Sequence, residues 1–447
     1  MIAVTTFALL TFLQNDPLPR RGALGLASSP LTKEQTTKLK LAEGTGLAVV
    51  DVIPGLTAEK ANLQKGDVIA KINGKPVAAK SLGEMARNLP SNKTVAFEVR
   101  RGDQTIVLKA DMVEKPKDPG TDLYDVTYSH VVSNGKRMRT IITSPKKPGK
   151  YPAFFFIQGF SPISYDFNLS TSTGDVKTID GPLLHQFASE GFVTFRVEKP
   201  GVGDSEGGPF ADLDYTTELD IYRQTLKQIK EHGGVDQKNI FIFGHSMGGA
   251  FGPMIAAESQ VKGIITYGTA SRTWFEYILD TVRYQGLLAG NTFENADDEM
   301  RLTERLLALV FLERKTVAQV KKSHPQLAQL ADAFFPGGYF NQKTLEFWRQ
   351  LNDTNFPKYW VKANCRVLAV RGVSDYVTYD ADHKLIADAV NAAHPGWGKF
   401  ELCPDSDHLF HNWATEKASM QGWTKGKFSM NFGNMMLKWI RETILER

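Results

Sequence analysis

The stretch Asn239-Ile240-Phe241-Ile242-Phe243-Gly244-His245-Ser246-Met247-Gly248-Gly249-Ala250-Phe251-Gly252 decides how the rest of the chain is read. Its apolar first half is a buried strand and its small-residue second half opens a helix, so Ser246 falls on the turn between them. A serine held on such a turn needs glycine two residues to either side. The sharp backbone and the close approach of the helix leave no room there for side chains. Gly-x-Ser-x-Gly alone is a weak signal, and the strand before it and helix after it are what give it meaning.

A serine hydroxyl becomes a nucleophile only when a base takes its proton. In an open parallel sheet the groups that do this project from the C-terminal ends of strands. Downstream, the apolar run Arg366 to Val370 ends in Arg371-Gly372-Val373-Ser374-Asp375, and Lys399 to Leu402 leads to Pro404-Asp405-Ser406-Asp407-His408. Asp375 and His408 are the expected carboxylate and base. Asp380, Asp405 and Asp407 stay open as alternative carboxylates, and His411 as an alternative base. Acyl transfer also needs donors for the developing oxyanion. These are the N–H of Met247, at the start of the new helix, and that of Phe160, in the loop Gln158-Gly159-Phe160 after the run Tyr151 to Ile157. Gly159 is the alternative to Phe160.

The same pattern extends outward. Apolar runs at Phe192 to Val197 and Val261 to Tyr267 alternate with helical stretches, which predicts a mostly parallel sheet of about eight strands covered on both faces. Residues 122 to 144 read as a hairpin about Ser133-Asn134-Gly135 at its front. Thr269 to Asn364 is far too long for one crossover helix. Its amphipathic centre, Asp298 to Arg314, and the aromatics between Trp274 and Phe347 predict a helical cap over Ser246 at about 269–364, with some of those rings lining an apolar pocket and the rest forming the cap's own core. The glycine-rich run Glu198 to Gly207 lacks a Gly-Lys-Ser/Thr ending, so it reads as a structural loop beside the site rather than a phosphate cradle.

Upstream, Lys115-Pro116-Lys117-Asp118-Pro119-Gly120-Thr121 interrupts any periodic structure and places a linker at 114–121, with the α/β region at 122–447. Before it, the runs Leu47 to Ile53, Asp67 to Ile72 and Val95 to Arg100 are bounded by Gly, Pro and Asn-Gly. They read as a small β-rich module at 20–113, with helices near 31–40 and 57–62.

Composition bounds the function. Hydrophobic residues at 42% and charged residues at 23% exclude disorder, collagen and coiled coil, and 447 residues allow two or three domains. The net charge of +4 comes from residues 1–115, where 16 Lys/Arg stand against 11 Asp/Glu, while the rest of the chain holds 37 against 38. It is scattered, which excludes a nucleic-acid or membrane-surface footprint. Cys365 and Cys403 are too few for a disulfide framework or a zinc site and read as free buried thiols; no cofactor or metal is expected. Met1 to Leu13 is apolar but too short to span a bilayer, so no stable membrane span is expected. Residues 1–19 are signal-like, without a basic start or a clear cleavage site; a periplasmic or secreted location is the expectation and a cytoplasmic one the alternative.

On these motifs, residues 120–447 resemble an α/β-hydrolase of the bacterial esterase and acyl-aminoacyl-peptidase-like sort. The matching features are the elbow at Gly244 to Gly248, the loop Lys199-Pro200-Gly201-Val202-Gly203-Asp204-Ser205-Glu206-Gly207 after the fourth strand, and the cap after the sixth. Residues 20 to about 112 resemble a PDZ domain of the high-temperature-requirement protease type. That resemblance rests on Arg20-Arg21-Gly22-Ala23-Leu24-Gly25-Leu26, Val49 to Pro54, Ala61 to Ile69 and Ile72 to Val77, and it departs at Asn62, where glycine is usual. The first resemblance implies a metal-independent serine hydrolase acting on a small-molecule ester or a peptide. Ser246 would be nucleophile, His408 base and then acid, Asp375 its orienting partner, and the Phe160 and Met247 amides the oxyanion hole. A carboxylesterase leads, with a peptidase of the acyl-aminoacyl or dipeptidyl type as alternative. The second resemblance implies that the amides of Ala23, Leu24, Gly25 and Leu26 bind the C-terminal carboxylate of a peptide. Docking on the chain's own hydrolase domain is the alternative, and a peptide-binding adaptor with an inactive hydrolase scaffold is the rival from another class.

Overall fold

The computed structural model describes residues 18–446 apart from 79–81, 83–84, 87–88, 167–168, 172–173 and 177–179. The signal-like segment thus falls almost wholly outside the described residues. The chain divides into two compact units, Met1–Pro119 with Ser164–Thr178, and Gly120–Ile163 with Ile179–Arg447. The break falls inside the stretch read as a linker, whereas Ser164–Thr178, read with the second unit, clusters with the first. Asp166 in that segment is fully buried, 2.7 Å from the Arg20 guanidinium and 3.1 Å from the Lys115 ammonium. Burying a carboxylate requires such pairing.

The first unit is an antiparallel sheet in the order Leu26–Pro30, Leu47–Val52, Val68–Ile72, Thr94–Arg101, Gln104–Asp111, with Lys75–Pro76 added on Val68–Ile72. Leu47, Ile69, Phe97 and Val99 fill its core. The helix Lys33–Lys38 starts at a capping box between Thr32 and Gln35. Asn62, at φ 60°, adopts the left-handed conformation that glycine would otherwise supply and that asparagine tolerates better than most residues.

In the second unit eight strands form one sheet: β1 (Tyr124–Ser133), β2 (Lys136–Pro145), β3 (Tyr151–Ile157), β4 (Val193–Val197), β5 (Val235–His245), β6 (Gly263–Tyr267), β7 (Arg366–Gly372) and β8 (Gly398–Cys403). Their order is β8-β7-β6-β5-β3-β4-β2-β1, and β2 alone runs against the rest. The β1–β2 hairpin turns on Asn134 and Gly135, both at positive φ, as a two-residue turn matched to strand twist requires.

The run Phe154-Phe155-Phe156-Ile157 shows how this sheet is covered. Successive side chains leave a strand on opposite faces. Phe154 stacks on Phe187 of α1 (Gly181–Ser189), while Phe155 and Ile157 join the cluster built with α2 (Tyr215–Glu231) and α3 (Gly248–Glu258). The helices α4 (Phe356–Lys362) and α5 (Asp380–Ala393) extend the second layer, and α6 (Asn431–Leu445) packs beside α1.

The insertion after β6 folds mainly as helices, Trp274–Ala289 and Phe293–Leu307 foremost. The second is the helix expected at Asp298 to Arg314. It starts earlier because the Thr292 side chain accepts the Asn295 N–H, and it widens into a π-turn at Ala308–Leu312. A short hairpin, Tyr339–Phe340 with Lys343–Thr344, and the helix Leu345–Asn352 complete it. The helix α4, read as the end of the cap, packs between α3 and α5 and buries Phe356 and Trp360, so it is the sheet's own crossover helix.

Candidate active site

At the end of β5 the chain turns sharply, with Ser246 at φ 54°. A Cβ on Gly244 would lie 2.5 Å from the Gly248 carbonyl oxygen, and one on Gly248 would lie 2.0 Å from that of Ile157. Both glycines are therefore obligatory, and the turn lifts Ser246 above the strand ends.

His408 and Asp375 converge on it from the ends of β8 and β7. Ser246 Oγ is 3.0 Å from His408 Nε2, and His408 Nδ1 is 3.0 Å from Asp375 Oδ2. Asp375 is fully buried, yet it also accepts the Val377 and Thr378 N–H groups and the Thr378 hydroxyl. Burial pushes its carboxyl up, but His408, the Thr378 hydroxyl and the Arg371 charge outweigh that and hold it down at about 2.

The alternatives do other things. Asp407 accepts the N–H groups of Leu409 and His411, each at 2.8 Å, and the Ser419 hydroxyl, which shapes the loop carrying His408. His411 lies in a two-residue strand beside Lys427–Phe428 and makes no contact with Ser246. Asp380 pairs with Arg371, and Asp405 occupies a left-handed turn.

Phe160 and Met247 line the same cavity as Ser246, and among the described residues neither backbone N–H has an acceptor. A Cβ on Gly159 would sit 3.2 Å from that of Ser246, so glycine there lets the loop after β3 close on Ser246. The cavity measures about 160 Å³ and is walled by Phe160, Met247, Trp274, Tyr277, Trp348 and Leu351. Trp274 stacks between Tyr277 and Trp348 at ring distances of 4.5 and 4.7 Å. Phe311 and Phe335 are instead buried in the cap, Phe347 is buried against Tyr215 of α2 and Phe160, and Tyr339 faces solvent. Arg272, the one charged wall residue among those described, is pinned by Asp280 and Asp382.

Three contributors were missed from the sequence. Gly268, at φ 60° after β6, makes room for the imidazole: a Cβ there would lie 2.8 Å from His408 Nδ1 and 3.0 Å from Asp375 Oδ2. His245, inside the elbow, puts Nε2 2.8 Å from the His408 carbonyl and Nδ1 3.1 Å from buried Asp180. Burial lowers its pKa, but Asp180 more than restores it and holds His245 above its usual value. The third is Lys199, in the loop after β4. Elsewhere that loop is tied to β2 by the pairs Arg139–Asp204 and Arg137–Glu206.

In the first unit the four loop amides part company. The Ala23 N–H donates to the Val113 carbonyl at 2.8 Å, which removes it from the carboxylate-binding set. The Leu24 and Gly25 N–H groups have no acceptor among the described residues, and Leu26 opens the strand at the sheet edge.

Among the described residues no cluster of His, Cys, Asp and Glu could hold a metal ion, and no helix is long and apolar enough to cross a membrane.

Comparison with known proteins defines the two parts. Residues 22–111 match the family described as PDZ domain, and residues 178–392 match the family described as serine aminopeptidase, S33. The chain thus carries a PDZ domain followed by an α/β-hydrolase domain. An uncharacterized peptidase of Bacillus subtilis, YtmA, is 30% identical over 167 residues, 36% of this chain and 58% of that protein. A probable periplasmic serine endoprotease DegP-like of Chlamydia trachomatis is 36% identical over 110 residues, 24% of this chain and 22% of that protein. The esterase EstD of Thermotoga maritima is 22% identical over 170 residues, 37% of this chain and 38% of that protein. The chain therefore spans little more than half the length of the first relative and about a fifth of the second.

Proposed function

We propose that the protein is a serine hydrolase that cleaves carboxylic esters with a small apolar acyl group. The observation that carries this reading is the unbroken contact chain from Asp375 through His408 to Ser246, ending in an apolar cavity. Ser246 Oγ attacks the carbonyl carbon as His408 Nε2 takes its proton, and the negative charge moves to the carbonyl oxygen. The amides of Phe160 and Met247 face that oxygen. The intermediate collapses by expelling the alcohol, which receives the proton from His408, and leaves an acyl-enzyme. Water then repeats the sequence and releases the acid. Asp375 keeps Nδ1–H oriented and stabilises the imidazolium.

Esters are favoured over peptides with a free N-terminus by what walls the cavity. An α-ammonium taken out of water needs a carboxylate partner. Among the described residues no Asp or Glu lines the cavity, and the charged wall residue is the cation Arg272. Its volume is near that of a cavity which accepts one benzene ring, and the aromatic walls suit a short or ring-sized acyl group. The test is labelling by a fluorophosphonate probe together with turnover of p-nitrophenyl acetate, p-nitrophenyl butyrate and aminoacyl p-nitroanilides. Labelling lost in Ser246→Ala, with ester turnover dominant, is expected. Labelling that survives the substitution would overturn the mechanism, and preferred anilide turnover would favour the peptidase.

In the PDZ domain the Leu24, Gly25 and Leu26 amides, beside an edge strand, would capture the carboxylate of an extended hydrophobic C-terminus by β-augmentation. Calorimetry of such peptides against the whole chain tests this; no heat beyond that of an amidated control peptide would leave docking as the domain's role. A periplasmic location is the matching compartment, supported by the name of the DegP-like relative.

A further inference from the structure

Lys199 is 1% exposed in its side chain, in a loop that had read as purely structural. An ammonium has three N–H groups to satisfy. Lys199 Nζ lies 2.6 Å from the Gly159 carbonyl, 3.0 Å from the Phe160 carbonyl and 2.8 Å from Glu218 Oε1. All three are met, two of them by the loop that carries the proposed oxyanion donor.

Peptide geometry gives this contact its meaning. The Gly159 C=O and the Phe160 N–H belong to one peptide unit, which is trans, so they point in opposite directions. Fixing the carbonyl toward Lys199 fixes the N–H on the other side, that of the cavity lined by Phe160 and Ser246. A cation on the carbonyl oxygen also polarises the amide and strengthens the N–H as a donor.

The other end of the arrangement reaches the cap. Glu218 on α2 is buried, and its second oxygen lies 3.5 Å from Lys343 Nζ, on the cap hairpin. Lys343 Nζ also donates to the Leu213 carbonyl at 3.2 Å and stands 3.7 Å from the Phe210 ring centre. The Phe160 ring in turn meets cap residue Trp348 at 5.3 Å. The cap and the oxyanion loop thus share one buried carboxylate.

We propose that Lys199 is a positioning residue that sets the oxyanion hole by holding the far end of the Gly159–Phe160 peptide, and that Lys343 ties the cap to the same support through Glu218. This rests on the assignment of Phe160 as an oxyanion donor.

The experiment compares Lys199→Met, Lys343→Met and the double variant Lys199→Met/Glu218→Gln, which removes the orphaned carboxylate along with the lysine. Each is assayed with p-nitrophenyl acetate and with a boronic acid inhibitor, whose tetrahedral adduct on Ser246 places an oxygen in the oxyanion hole. Removing a donor outright lowers kcat by 10²–10³. Loosening one is expected to lower kcat about 10- to 100-fold in Lys199→Met and in the double variant, with KM within about threefold and boronate affinity falling in step with kcat. Lys343→Met should lose about 3- to 10-fold in kcat, since Lys199 still holds the loop. Wild-type kcat and boronate affinity in the folded double variant, or a loss confined to KM, would overturn the proposal; unchanged kcat in Lys343→Met would remove the cap from it. Failure of the hydrolase reading itself would show separately, as absent ester turnover or absent Ser246 labelling in the wild type.

Discussion

Replacing Gly268 by alanine tests whether the active-site geometry is as tight as the distances say. The residue sits at φ 60°, where a side chain costs about 1–2 kcal/mol. The new methyl would lie 2.8 Å from His408 Nδ1, 2.9 Å from Cε1 and 3.0 Å from Asp375 Oδ2. Non-bonded contact is comfortable at roughly 3.5 Å, so the imidazole must retreat by about 0.7 Å. That is enough to break the 3.0 Å contact with Ser246. Overpacking of this kind adds about 1–3 kcal/mol to the loss of stability, and a shift of ~1 Å in a reacting group costs on the order of 10²-fold in rate. Gly268→Ala should therefore fold with stability reduced by about 2–5 kcal/mol. Its kcat on p-nitrophenyl acetate should fall about 100-fold at nearly constant KM. Gly290→Ala is the control. Gly290 ends a cap helix at φ 105° with open space around it, so it should lose about 1–2 kcal/mol from backbone strain alone and keep its kcat. A Gly268→Ala enzyme within threefold of wild-type kcat, or a Gly290→Ala enzyme equally damaged, would refute the reasoning.

Three further outcomes are expected. The Asp375 carboxyl is held at about 2, below its ordinary 3.8, so its contribution of about 2 kcal/mol is fully present above pH 4 and is lost as pH falls through 2. Urea titrations should show the stability gap between wild type and Asp375→Asn narrowing as pH falls through that window. Leu351→Ala, which enlarges the cavity from the cap side, should move the preferred p-nitrophenyl ester one or two carbons longer and cost about 2–4 kcal/mol of stability; an unchanged chain-length profile would remove Leu351 from the acyl pocket. Burial pushes the Cys365 and Cys403 thiols up to about 12 and about 11. Both should resist iodoacetamide in the native enzyme and react only in denaturant, as read by mass spectrometry.

The sheet was legible wherever its strands are buried on both faces. Tyr151–Ile157 is marked by an unbroken apolar run, and the elbow by its glycines. Strands at margins were harder. Leu26–Pro30 and Gln104–Asp111 lie at the two edges of the first sheet, where half-exposed polar side chains erase the apolar signal. The start of β5 was missed for the same reason, since Asp236, Gln237 and Lys238 precede its apolar core. Ser246, His408 and Asp375 could be picked out because each follows a strand end, whereas Gly268 is one of 38 glycines and gains its role only from a neighbour 140 residues away. Lys199 in a glycine-rich loop looks like a solvated surface lysine. Only the fold reveals that three acceptors surround it.

The division of labour between sheet and cap bears on how such a protein can change over generations. The proposed nucleophile, base, orienting carboxylate and oxyanion amides all hang from the ends of β3, β5, β7 and β8, while Trp274, Tyr277, Trp348 and Leu351 come from one insertion after β6. Ancestry can therefore remodel, lengthen or exchange that insertion and alter the diet of the enzyme without rebuilding its chemistry. The toll falls on the few places where the insertion is bolted down. A descendant free to replace every cap aromatic would still inherit a need for a cation at Lys343 facing Glu218, and for Arg272 facing Asp382.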